Sequence, residues 1–112
     1  MTTSIERTWT AVCAAARVGD CSGVAALVEG EQVAVFHVGS GWFALSNWDP
    51  CSGAAVLSRG IVGDAGGDPV VASPVYKDRF SLHTGQCLEH PGVSVPVYGV
   101  RVRQGVVEVG SP

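Results

Sequence analysis

The chain has 112 residues and carries seven Lys plus Arg against ten Asp plus Glu, a net charge of −3. Without a basic stripe or an acidic tail, nucleic acid and anionic membrane are excluded as expected partners, and no apolar run approaches the roughly 18 residues that span a bilayer. Charged residues make up 15% of the sequence against about 25% in an ordinary soluble domain, which favours a surface partly covered by another molecule over a β domain merely rich in Val and Gly.

A chain of this length buries roughly two-thirds of its unfolded surface, so one domain is expected over residues 1–112, with its core at about 9–109. The opening Met1–Arg7 is polar and lacks the apolar centre of a signal peptide, which points to a cytoplasmic protein. Trp9–Arg17 comes nearest to a helical period and fits a strand running into a turn equally well. Val24–Val28 and Gln32–Val38 read as a hairpin closed by Gly30-Glu31, with Gly supplying the positive φ. Trp42–Asn47 follows the Gly39-Ser40-Gly41 turn, and Gly63–Pro69 reads as a turn or surface loop within a looser stretch, Asn47–Phe80.

Near the end, Val100-Arg101-Val102-Arg103 alternates, Gln104-Gly105 turns, and Val107-Glu108-Val109 alternates again. A two-residue loop sets Arg103 opposite Val106, Val102 opposite Val107 and Arg101 opposite Glu108. Valines then share one face and an opposite-charge pair the other. Short β-branched runs with turn residues every eight to twelve positions point to an all-β protein.

Chemistry-bearing residues are sparse. Cys13, Cys21, Cys51 and Cys87 form neither Cys-x-x-Cys nor Cys-x-His, so reduced thiols are expected rather than a disulfide framework or a zinc or redox motif. A nucleophilic Cys51 would need a positioned base, and His37, His83 and His90 lie in separate segments. His37, in the alternating run with Val33 and Val35, reads as a core or edge residue, and no metal site is expected. Asp49 before Pro50 reads as a turn residue bonding nearby amides, and Asp64 as solvated. Trp42 and Phe43 read as core, and Trp48 is open between core and interface anchor. Lys77-Asp78-Arg79 reads as a solvated turn ahead of a docking contact.

Trp48-Asp49-Pro50-Cys51-Ser52-Gly53, followed by Val56-Leu57-Ser58-Arg59-Gly60, resembles the first cluster loop of a Rieske protein. Val70–Tyr76 with Phe80–Gly85 resembles the second, and Val97–Val109 is similar to the family's closing hairpin. The resemblance implies an antiparallel Rieske-like β-sandwich of two to three small sheets. A cluster-bearing Rieske domain has Cys-x-His and Cys-x-x-His in these loops. The corresponding slots here hold Asp49, Cys51, Ser73 and Tyr76, and none matches. Oxygen donors bind a sulfide-bridged ferric centre poorly, so no [2Fe–2S] cluster is expected.

Within the Rieske-like proteins the chain resembles the small subunits of cytoplasmic NAD(P)H nitrite reductases. The wording that carries this is Asn47–Pro50, Leu57–Gly63 and Ala72–Lys77. The resemblance implies a non-catalytic accessory in the reduction of nitrite to ammonium during nitrate assimilation. It implies no cofactor on this chain and a large-subunit partner carrying FAD, siroheme and an iron–sulfur cluster. The tip faces the partner in cluster-bearing relatives, so Trp48, Asp49, Pro50, Cys51, Tyr76 and Lys77 are the expected interface. A stand-alone interaction module and an electron-carrying ferredoxin are the rival readings.

Overall fold

A computed structural model describes residues 8–111; the reading of Met1–Arg7 as free of a signal sequence lies outside the described residues. Among the described residues eleven strands make three antiparallel sheets, with two short 3-10 turns between them, the all-β arrangement expected. The largest contains β1 (Trp9–Ala14), β11 (Val106–Gly110), β10 (Val97–Arg103), β4 (Gly41–Ser46), β3 (Glu31–Val38) and β2 (Ser22–Val28), in that order. A two-stranded ribbon pairs β5 (Trp48–Asp49) with β6 (Ala54–Ala55), and a three-stranded sheet joins β7 (Ile61–Ala65), β8 (Asp68–Ala72) and β9 (Arg79–Ser81). The 3-10 turns are Ala15–Arg17, which extends β1, and Leu57–Arg59. No helix among the described residues is long and apolar enough to cross a membrane.

Strand β3 explains the packing. Val33, Ala34, Val35 and Phe36 are all buried, so the strand is covered on both faces and its sequence is a continuous apolar run rather than an alternation. Val33 and Val35 pack with Val28, Ala44, Val107 and Val109 inside the six-stranded sheet. Ala34 and Phe36 face the other way and join Leu45, Leu57, Val71, Phe80 and Leu82. That second core fastens the three-stranded sheet to the large one. Trp42 and Phe43 pack against the first and second core respectively. His37 stacks on Trp42 with ring centroids 4.2 Å apart, an edge-of-core position.

The C-terminal hairpin has the expected register: Arg103 pairs Val106, Val102 pairs Val107, and Arg101 pairs Glu108. Arg101 Nε donates to Glu108 Oε1 at 2.6 Å, and its guanidinium lies 4.1 Å from the Trp9 ring centroid. Two turn assignments need correction. The first hairpin closes at Glu29-Gly30, with Val28 paired to Glu31, because a two-residue primed turn requires positive φ at both central residues; Glu29 has φ 50° and Gly30 φ 83°. Gly63 and Pro69 are strand residues, not loop, and only Gly66-Gly67 turns. Glycine richness there marks one tight turn, and Asp64 caps it by accepting the Gly67 amide at 3.0 Å.

Candidate functional site

Two loops meet in a tip, joined by the hydrogen bond from the Ser73 hydroxyl to Asp49. The first, 49–53, caps the β5–β6 ribbon and closes with the Gly53 amide donating to the Asp49 carbonyl at 2.7 Å. The second, 73–78, leads from β8 into β9. Its ends are tied by the Ser73 amide to the Asp78 carbonyl and the Lys77 amide to the Ser73 carbonyl, both 2.9 Å. Asn47, almost fully buried, fixes the first loop from behind. Its side-chain amide donates to Gln32 Oε1 and the Ala55 carbonyl, and its Oδ1 accepts the Ser58 amide at 2.6 Å.

Asp49 has no exposed surface. Its Oδ1 accepts the Cys51 amide at 2.9 Å, as a turn residue should. Its Oδ2 accepts the Ser52 hydroxyl at 2.8 Å and the Ser73 hydroxyl at 2.5 Å. Burial pushes this carboxyl up, but the hydrogen bonds from Ser73, Ser52 and the Cys51 amide outweigh it and hold the group below its ordinary value. The interface set therefore loses one member: Asp49 is enclosed by its donors and presents nothing to a partner.

The same bond tests the fit to a cluster. Two thiolates on one tetrahedral metal stand about 3.8 Å apart, and the two thiolate slots here hold a carboxylate and a hydroxyl bonded directly to each other. Tyr76, in a histidine slot, is 66% exposed. These residues do not fit a [2Fe–2S] centre.

Cys51, in the other histidine slot, is half-buried. Burial, reinforced by the carboxylate of Asp78 and the neighbouring Cys87 and Asp49, pushes its thiol up to about 11, far from a nucleophile's range. The tertiary structure nevertheless brings a histidine to it, which nothing in the chain order indicates. Cys51 Sγ, a carboxylate oxygen of Asp78 and a ring nitrogen of His90 all lie within 4.8 Å of one another. Asp78 is also not the solvated turn residue expected from Lys77-Asp78-Arg79, being only 9% exposed. Arg79 is exposed and bonded to Glu89, its Nε and Nη2 lying 2.8 and 2.7 Å from Oε2. His83 sits elsewhere, edge-on to Phe43 and 3.9 Å from Asp68. The four cysteines are unpaired.

Around the tip the surface is apolar. Trp48, Val75 and Tyr76 are 52%, 46% and 66% exposed, and Pro50 and Lys77 are exposed beside them in sequence. Trp48 points to the opposite face of β5 from Asp49, where it lines a shallow cleft with Gln32, Ser46 and Ala55. Of its two open assignments, core and interface, the core is excluded. Val75 is an exposed apolar residue the sequence did not single out, since a Val beside Pro74 reads equally well as buried strand.

Residues 8–110 match the model of the Rieske-like [2Fe-2S] domain. The chain is 43% identical over 103 residues to the small subunit of nitrite reductase (NADH) of Salmonella typhimurium, covering 90% of this chain and 95% of that one. It is 40% identical over 106 residues, 95% of this chain, to the nitrite reductase [NAD(P)H] large subunit of Klebsiella oxytoca, of which it spans 11%. A crystal structure described as that of an NADH-dependent nitrite reductase small subunit from Mycobacterium tuberculosis superposes with a TM-score of 0.92 at 46% identity, covering 96% of this chain and 98% of that one. The chain thus belongs to the Rieske-like [2Fe-2S] domain family, in the branch formed by the small subunits of nitrite reductase.

Proposed function

We propose that this chain serves as the small subunit of a cytoplasmic NAD(P)H-dependent nitrite reductase in nitrate assimilation. In this reading it carries no [2Fe–2S] cluster and no catalytic residue, and it supports a large subunit that holds FAD, siroheme and an iron–sulfur cluster. The observation that carries the reading is the pair of relatives. One is a free small subunit of nearly the same length. The other is a segment within a large-subunit polypeptide. A domain found both free and fused to the same enzyme is expected to sit against it at fixed stoichiometry.

The absence of electron transfer through this chain is supported by the donor set. Oxygen donors in both thiolate slots, joined to each other, leave no soft ligand pair for iron. Docking is supported by the exposed apolar side chains of Trp48, Val75 and Tyr76, in or next to the two loops of a charge-poor chain. Pro50 and Lys77 flank them, and Cys51 lies half-buried beneath.

A pull-down of the tagged chain from cells grown on nitrate tests the assignment. Co-purification of a large protein with siroheme and flavin absorption is the expected result. A colourless chain recovered without a partner would overturn it.

A further inference from the structure

Three segments that are distant in sequence converge behind the tip: the first loop with Cys51, the end of the second loop with Asp78, and the turn that carries His90. A thiol, a carboxylate and an imidazole are the donor types that zinc and its neighbours among the divalent transition metals take together. We infer that Cys51, Asp78 and His90 form a mononuclear site for a divalent cation of the zinc class. The site is separate from the cluster slots of the family in two of its three ligands, and it does not depend on the proposed subunit role.

The geometry suits this occupant. Asp78 Oδ1 and His90 Nε2 are 3.5 Å apart. That exceeds a good hydrogen bond, about 2.7–3.2 Å, and matches the roughly 3.4 Å between two nitrogen or oxygen ligands on a tetrahedral zinc. The third donor, Cys51 Sγ, lies within 4.8 Å of both. A short adjustment of exposed His90 closes the set, because its side chain is 57% exposed and free to turn.

The surroundings of Asp78 point the same way. The residue is 9% exposed and its side chain 12%; the Cys51 thiol hydrogen-bonds its carboxylate, and among the described residues no backbone amide or hydroxyl donates to it. The nearby cation is engaged elsewhere, since Arg79 is bonded to Glu89. The polar neighbours of this largely buried carboxylate are thus a thiol and, 3.5 Å away, an imidazole, the two groups that would join it as ligands. A divalent cation would neutralise it together with the Cys51 thiolate, leaving neutral His90 as the third ligand. On binding, the thiol proton passes to solvent and no electrons move. Three protein ligands leave a fourth position for water.

Cobalt(II) titration of the full chain under reducing conditions is the test. The expected result is a thiolate-to-cobalt charge-transfer band with the visible bands of a tetrahedral centre, saturating at one cation per chain and displaced by zinc(II). Cys51→Ser should abolish the charge-transfer band. His90→Ala, at an exposed position, should leave the fold intact by circular dichroism. It should weaken affinity by more than the roughly 10–100-fold that loss of an outer partner costs. Cys21→Ser, which removes an exposed thiol elsewhere, should change nothing. Zinc should also raise the melting temperature of the wild-type chain and not that of His90→Ala. A chain that shows no charge-transfer band, or one whose band survives in Cys51→Ser, would overturn the inference.

Discussion

The Ser73 hydroxyl donates to the Asp49 carboxylate across the two loops of the tip, at 2.5 Å and with both residues buried. The bond occupies the place where the family's paired thiolates would meet iron. It gives the tip a cross-loop tie without a metal. A hydrogen bond to a buried charge contributes about 1.5–3 kcal/mol, so Ser73→Ala should lower stability by roughly that amount in urea unfolding. Asp49→Ala should cost more, about 3 kcal/mol or above, because the Ser52 hydroxyl and the Cys51 amide lose their acceptor as well.

Asp49 also sets an acid limit. Its folded-state carboxyl is held below the ordinary value, so as pH falls the unfolded chain takes up the proton first. The stabilisation is therefore complete above about pH 4, the unfolded value, and is lost as pH drops through the folded one. Unfolding free energy measured from pH 6 down to 2 should show this decline, and Asp49→Asn should flatten it.

Cys51 titrates in the opposite sense. Its thiol is raised from 9.0 to about 11, so the folded state holds the proton longer than the unfolded state. Stability from this group is full below pH 9 and is lost as pH rises towards 11. In metal-free protein at pH 8, iodoacetamide should label exposed Cys21 first and Cys51 slowly, with the Cys51 rate climbing as pH approaches 11. Mass-spectrometric mapping of the labelled thiols checks the order, and labelling of Cys51 ahead of Cys21 would contradict it.

Charge placed on the apolar tip should break docking without unfolding the chain. Tyr76→Glu and Trp48→Glu each remove an exposed aromatic. An anchor of this type contributes about 2 kcal/mol or more to an interface, or roughly 30-fold in affinity for the large subunit. Trp48 belongs to β5 and Tyr76 to the second loop, so comparing the single variants locates the contact. Wild-type affinity in both, with native circular dichroism, would remove the tip as the interface.

Gly85 is required by the backbone. Its φ is +78°, and a Cβ there would collide with the Val95 carbonyl, while the Val95 amide donates to the Gly85 carbonyl at 2.9 Å. No side chain fits without moving that bridge. Gly85→Ala should cost about 2 kcal/mol or more, from positive-φ strain together with overpacking, whereas Gly92→Ala, with open space around it, should be nearly neutral.

Strands β2, β3 and β4, the closing hairpin and its register were legible because they depend on alternation and a two-residue turn, both local properties of the chain, whereas the short strands β5 to β9 lie in the stretch read only as looser. Arg101 opposite Glu108 follows from Gln104-Gly105 alone. The first hairpin was misplaced by one residue because Glu29 accepts a positive φ that its residue type does not advertise. Asp49 was legible as a turn residue, since the Cys51 amide it bonds is two positions away. Its burial was not, because the enclosing Ser73 arrives from another sheet.

Local patterning in the chain was enough for the all-β architecture, and the resemblance to Rieske proteins added the two loops of the tip and the mismatch of their four slots with an iron–sulfur cluster. The first rests on alternation and turn residues and the second on residue identity at matched positions, and a side chain that is not a thiol stays so whatever the fold does with it. Packing alone hides Asp49 while exposing Trp48, and brings Asp78 and His90 beside Cys51. Burial and proximity between distant segments are set by how the second core draws the three-stranded sheet against Ala34 and Phe36, and no local pattern encodes that packing.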